Sequence, residues 1–245
     1  MILRRIAEHL RTQNWTAVFL EFLIVATGVF LGIQLGNWNE ARIEARQERA
    51  LVMRLIEDAR QSRRIIDGAI EETAAQANAA RRVHGHLLDG AVSPPQEEAF
   101  RTGLLNLGPW ESDGFVRATI EQAIADGSIG LIDSARLRNV IAAHLENIED
   151  RNLAIQNVGS LNLTNISKMR DLVDIRMAPD GPEGEFQRLE NPTTALLADE
   201  PLRRLVGQYA FAYTIMETLH RDSREMNARY LVALEAYSAE RGWDD

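Results

Sequence analysis

The chain has 245 residues, 45% of them hydrophobic and 26% charged, with a formal net charge of −9. An acidic surface repels nucleic acid and anionic lipid headgroups, which excludes nucleic acid as a partner and headgroup docking as a mode of membrane contact. There is no cysteine, so disulfides, thiolate metal sites and cysteine nucleophiles are excluded, and the redox compartment is left open.

In chain order, residues 1–14 read as a basic tail carrying Arg4, Arg5 and Arg11. Residues 15–36 read as a single transmembrane helix. From Thr16 to Gly36 the only charge is Glu21, and about 20 residues rising about 1.5 Å each cross the hydrocarbon core of a bilayer. Trp15 before the span, and Asn37, Trp38 and Asn39 after it, are the expected membrane-interface anchors, since an amphipathic ring is best accommodated at headgroup depth. Ala26-Thr27-Gly28 resembles a signal-peptide cleavage site, but the apolar run continues through Leu35, too long for a usual signal core.

Within the span, a helix turning about 100° per residue places Glu21, Val25, Gly28, Gly32 and Leu35 within roughly 40° of one line, with Gly36 about 60° round. Gly28, Gly32 and Gly36 make two overlapping G-x-x-x-G steps, which remove side-chain bulk and let a second helix approach backbone to backbone. A glutamate facing lipid costs about 2 to 3 kcal/mol, so Glu21 is expected to face protein, water or a proton donor. The six residues are the candidate helix–helix interface. The alternatives are a Glu21 wetted near the headgroups, with glycines merely common in spans, and a role for Glu21 in a proton or ion path.

Beyond the span, residues 37–245 read as an all-α extramembrane domain. The first long helix continues the span without a break, over about 37–89, as a stalk. Glu40, Glu44 and Glu48 alternate with Arg42, Arg46 and Arg49 on a solvated face. Leu51, Leu55, Ala59, Ile66, Ala69 or Ile70, Thr73, Ala77, Ala80 and Leu87 then follow at steps of three and four, a seam for packing on other helices. Gly90 to Pro95 breaks the pattern. Ser93-Pro94-Pro95-Gln96 opens a short helix over 94–107 with a serine cap, and a second short helix is expected over 113–125. Ser128 to Ile132 reads as an apolar linker tucked against the bundle in a short extended piece.

A further long helix is expected over 134–177, capped by Asp133 or Ser134, with Leu137, Ile141, Leu145, Ile148, Ile155, Val158, Ile166, Met169 and Val173 inward. Asn152, Asn157, Gly159, Ser160, Asn162 and Asn165 weaken its centre and point to a kink near Gly159. Pro179 to Pro192 reads as a loop. The last helix, 200–241, starts at Asp199 or Glu200 and has the most regular pattern, coiled-coil-like, through Leu202, Leu205, Tyr209, Ala212, Met216, Leu219, Ser223, Met226, Tyr230, Ala233 and Tyr237. The fold expected is an elongated antiparallel bundle with two short distal helices, its long helices roughly 60 to 75 Å each. These run outward from the membrane, back and outward again, leaving the Pro179–Pro192 loop near the membrane.

Four stretches carry a resemblance. The span entry Glu21-Phe22-Leu23-Ile24, the core Gly28-Val29-Phe30-Leu31-Gly32 and the exit Gln34-Leu35-Gly36-Asn37-Trp38-Asn39-Glu40, followed later by Asp126-Gly127-Ser128-Ile129-Gly130-Leu131-Ile132, resemble a family of bacterial single-span membrane proteins catalogued as a domain of unknown function. The likeness covers the first 50 residues well and the rest loosely. It implies an inner-membrane protein with a helical outer part and brings no activity with it.

Catalytic and ligand constellations are weak. His84 and His86, two apart, lie on nearly opposite helix faces and make poor joint ligands. His144 and His220 lie beside seams of helices expected to be neighbours, where a metal pair is conceivable and packed histidines are the simpler reading. Adjacent carboxylates such as Glu57-Asp58 and Glu71-Glu72 belong to a charged face. Tyr209, Tyr213, Tyr230 and Tyr237 read as core or interface fillers. No phosphate loop, serine elbow or zinc motif is present.

The chain therefore reads as a non-enzymatic interaction or scaffold protein without metal or cofactor, held in the bilayer by one span and self-associating, or an accessory subunit of a membrane complex. The alternative is an extracytoplasmic ligand-sensing bundle that signals through a partner protein. Arginine counts on the two sides of the span do not decide its orientation, and a short basic tail staying in the cytoplasm places the C-terminal domain in the periplasm.

Overall fold

The structure, a computed structural model, describes residues 15–108, 114–177 and 187–243. Its described elements are helices α1 (Trp15–Asp89), α2 (Pro94–Leu105) and α3 (Ala118–Ala125), a 3-10 turn (Ser128–Leu131), helix α4 (Ala135–Leu172), strands β1 (Ile175–Met177) and β2 (Gln187–Leu189), and helices α5 (Thr193–Ala198) and α6 (Glu200–Glu240). The basic residues of 1–14, the side chain of Trp15 and most of the Pro179–Pro192 segment lie outside the described residues. The all-α class holds, with one small hairpin added. The chain divides into two compact units between Ala50 and Leu51, inside α1.

The first unit, up to Ala50, is the start of α1. It contains a stretch long and apolar enough to cross a membrane, and its large side chains from Phe19 to Trp38 are exposed, Phe22 by 67% and Leu35 by 65%.

In the second unit, Leu51 onward, α1 and α6 run antiparallel. Arg60 pairs with Glu235 at 2.8 Å and Asp67 with Arg224 at 2.9 Å, and Thr73 meets His220 at 3.2 Å. Helix α6 is likewise antiparallel to α4, with Arg151 at 3.5 Å from Asp222 and Asp133 at 3.1 Å from Arg241. It follows that α1 and α4 are parallel, which differs from the alternation expected. The return path is supplied by residues 94–125. Phe100 packs edge-on to His86, Gly108 bonds to Tyr213, and Val116 N–H donates to Ser62 Oγ at 2.9 Å. Ile120 and Ala123 then join Leu51 and Leu55 in one apolar cluster. Non-helical chain, as at residues 106–108 and 114–117, advances further per residue than helix, so this segment crosses the unit instead of staying at one end. Accordingly Leu189 and Leu196, which flank Pro192, cluster with Leu87 and Phe100, at the opposite end of the unit from Leu51.

Helix α3 starts at Ala118, five residues later than expected at 113, and Asp58 on α1 caps it from outside: its Oδ2 accepts from Thr119 N–H at 3.3 Å. Ser93 does stand at the N-cap of α2, but its hydroxyl donates to Gln96 Oε1 at 2.7 Å rather than accepting from the backbone. Residues 128–131 form a 3-10 turn where an extended piece was expected. Ser134 and Asp199 cap α4 and α6 as expected, accepting from Leu137 N–H at 3.2 Å and Leu202 N–H at 2.8 Å.

Helix α4 is unbroken through Gly159. The hydroxyls of Ser160 and Thr164 bond to carbonyls four residues back, at 2.9 and 3.1 Å, and Asn162 turns inward, donating to Gly108 O at 2.8 Å. The side chains that weaken helices by competing for backbone groups are therefore occupied within the helix or in the core. α4 ends at Leu172, short of 177, because Ile175–Met177 pairs antiparallel with Gln187–Leu189. Arg101 on α2 fixes that hairpin: its guanidinium donates to Leu189 O, to Asn191 O at 3.0 Å and to Thr193 Oγ1 at 3.1 Å. Thr193 in turn bonds to Glu97.

Candidate helix–helix interface and the buried polar seam

The glycine face of the first unit follows directly from its helix. A methyl group built on Gly28, Gly32 or Gly36 meets nothing within 4 Å, so three backbone surfaces lie open along one side of α1. Glu21, Val25 and Leu35 on that side are exposed as well. An open row of glycines is what close approach of another helix requires, and in lipid such approach is driven by packing and interhelical hydrogen bonds. At the exit of the apolar stretch, Asn37 and Asn39 are exposed. Trp38, 64% exposed, has the Arg42 guanidinium 5.8 Å from its ring centroid, a cation–π arrangement one turn apart on the helix.

The interior of the second unit is apolar at both ends. Ala80, Val83, Leu87, Phe100, Met169 and Leu202 belong to one cluster; Leu51, Leu55, Ile120, Ile141 and Leu234 belong to the other. Between these clusters the seam turns polar, with Ser62, Thr73, His144, Asn162, His220, Ser223 and Asn227 all buried. Asn227 Nδ2 donates to Ala59 O at 2.8 Å, and Tyr213 OH donates to Gly108 O at 2.7 Å. Each bond ties α6 to a different neighbour, so the polar seam fixes how the helices register.

His144 and His220 do not form a pair. The His144 ring stacks on Tyr230, whereas His220 sits against Thr73. Desolvation holds His144 at a pKa of about 4, and it pushes Tyr213 up to about 12 and raises Tyr230 as well, so all three are neutral near pH 7. The four tyrosines expected as fillers are buried. His84 and His86 also pack separately, His84 against Gly207 and His86 against Phe100. Among the described residues no three or more histidine, aspartate or glutamate side chains gather as a metal site would need.

The periodicity placed Thr73 and Ser223 inward, where both are buried, but missed Ser62, Asn162 and Asn227. Leu219 and Met226 were expected inward, yet His220 and Asn227, one position on, are the buried residues. Helix α6 packs on both α1 and α4, so its inner face is wider than a single seam, and His220 and Asn227 are spent on contacts to α1. Nothing in apolar spacing signals this; the signal available was the coincidence of Thr73 and Ser62 on the α1 seam with His220 and Asn227 on α6. Comparison with known proteins finds no family model, curated protein or solved structure that matches this chain.

Proposed function

We propose that this chain is a non-enzymatic, single-pass membrane protein of the bacterial inner membrane whose span associates with a second copy through Glu21, Val25, Gly28, Gly32, Leu35 and Gly36, with the residues after the span on the periplasmic side. One observation carries the reading. Along an exposed apolar helix, every glycine of the G-x-x-x-G rows faces open space, and the only acidic side chain of the stretch lies on the same side. A lone carboxyl and bare backbone are both costly or wasted against lipid and both satisfied by a facing helix. The second unit then serves as a helical scaffold. Its net acidic charge suits neither nucleic acid nor an anionic surface, and its buried histidines are engaged in packing.

A ligand-sensing bundle needs an interior pocket. The cavity beside Asn227 and Tyr230, about 10 Å³, has room for about one water, whereas a more open groove of about 150 Å³ beside Leu137 on α4 and Tyr237 on α6 is where that alternative would place a ligand. The test is native mass measured in mild detergent on the wild-type chain and on Gly28→Leu and Gly32→Leu. The oligomer is expected to dissociate in both variants; an unchanged assembly state, or a complex with an unrelated membrane protein alone, contradicts association between copies.

A further inference from the structure

The place where the core changes from apolar to polar holds a second feature. A cavity of about 10 Å³ lies between α1, α4 and α6, lined among others by Asp58, Ser62, His144, Asn227 and Tyr230. Asn227 is 1% exposed and Tyr230 6%. Asn227 spends its amide nitrogen on Ala59 O, while its Oδ1 has no hydrogen-bond partner among the described residues, and neither does the Tyr230 hydroxyl. Buried polar atoms without partners are rare in folded proteins, and two bordering one cavity is a specific coincidence.

We propose that this cavity is a binding site for a single internal water molecule, held between Asn227 Oδ1 and Tyr230 OH. The volume matches one water and excludes any organic ligand. The donor and acceptor inventory also closes. The Tyr230 O–H donates to the water oxygen, and one water hydrogen goes to Asn227 Oδ1. The second hydrogen has acceptors on the α1 side. Ser62 Oγ already donates to Asp58 O and accepts from Val116 N–H, which leaves it one lone pair, and Asp58 lies beside it. The water thereby joins α6 to α1, next to the stacked His144 and beside the direct bond from Asn227 Nδ2 to Ala59 O. Sites of this kind typically give a buried water about three hydrogen bonds.

The experiment uses the full chain in detergent. A crystal structure fine enough to show ordered water is expected to show one density peak within roughly 2.7–3.2 Å of both Asn227 Oδ1 and Tyr230 OH. Oxygen-17 relaxation dispersion is expected to count one fewer long-lived water in Asn227→Leu, whose side chain fills the cavity and removes the acceptor. Tyr230→Phe, which removes one oxygen and keeps the packing, is expected to lose the same water or shorten its residence time. A dry cavity in the wild-type density overturns the proposal, as does an Asn227 Oδ1 bonded directly to a protein donor. If a variant does not fold, the wild-type density alone decides the matter.

Discussion

The His144 imidazole lies flat on the Tyr230 ring, centroids 3.8 Å apart and planes 12° from parallel, while Phe115 meets it edge-on at 6.0 Å. This aromatic packing, built from α4, α6 and the segment before α3, buries the imidazole and disfavours its charged form; Asp58 across the neighbouring cavity is the acidic group on that side.

Stability should therefore fall with acid in a defined window. The folded His144 resists protonation down to about 4, whereas in the unfolded chain it titrates at its ordinary 6.5. The unfolded state binds the extra proton between these values, so this group's contribution is complete above pH 6.5 and is lost as pH falls towards 4. By pH 4.5 the loss amounts to about 2 to 3 kcal/mol. Urea unfolding of the full chain in detergent at pH 7.5 and 4.5 measures it. His144→Phe, which keeps the stack, is expected to show a correspondingly smaller difference between the two pH values.

The close approach of α2 to α1 should make Gly103 intolerant of even one methyl group. A Cβ there would stand 2.6 Å from Val83 Cγ2, and Val83 is buried and stiff about χ1. Gly103→Ala is expected to cost about 1 to 3 kcal/mol, as overpacking does. Val83→Ala in the same chain should recover part of that loss, so the double-mutant cycle, read by urea midpoints, should give a favourable coupling.

Thr73→Val tests the polar seam. It preserves shape, removes the partner of His220 Nδ1, and should destabilise by about 1 to 2 kcal/mol because a buried ring nitrogen is left without its bond. Thermal unfolding of the variant beside the wild type measures it.

Arg101→Ala should loosen the hairpin more than the bundle. Three acceptors on residues 189–193 depend on that guanidinium, whereas the bonds that join α1 to α6 are made by other residues. Hydrogen exchange in 187–198 is expected to accelerate well beyond that in the central part of α6.

What was legible in the sequence was whatever spacing alone determines. The α1 seam from Leu51 to Leu87, the caps at Ser134 and Asp199 and the last helix from 200 follow from periodicity and capping chemistry, which act within a few residues. The relative direction of α1 and α4 depended on residues 94–125 crossing the unit, and that rests on contacts such as Val116 to Ser62 and Thr119 to Asp58, more than fifty residues apart in sequence. The hairpin at Ile175 escaped notice for the same reason, since its anchor is Arg101. Of the candidate interface, the glycine row was readable because helical geometry fixes which residues share a side. What faces it is not written in one chain's periodicity.

The central claim is that copies of the chain meet along the glycine side of the span, and the absence of cysteine permits a direct measurement. Single cysteines are placed in turn from residue 21 to residue 36 of the full chain, in native membranes, and oxidised. The account predicts disulfide-linked dimers peaking at Val25, Gly28, Gly32 and Leu35, with minima near Leu23 and Phe30 on the opposite face. Cross-linking strongest at Leu23 and Phe30, or equal around the helix, would contradict it.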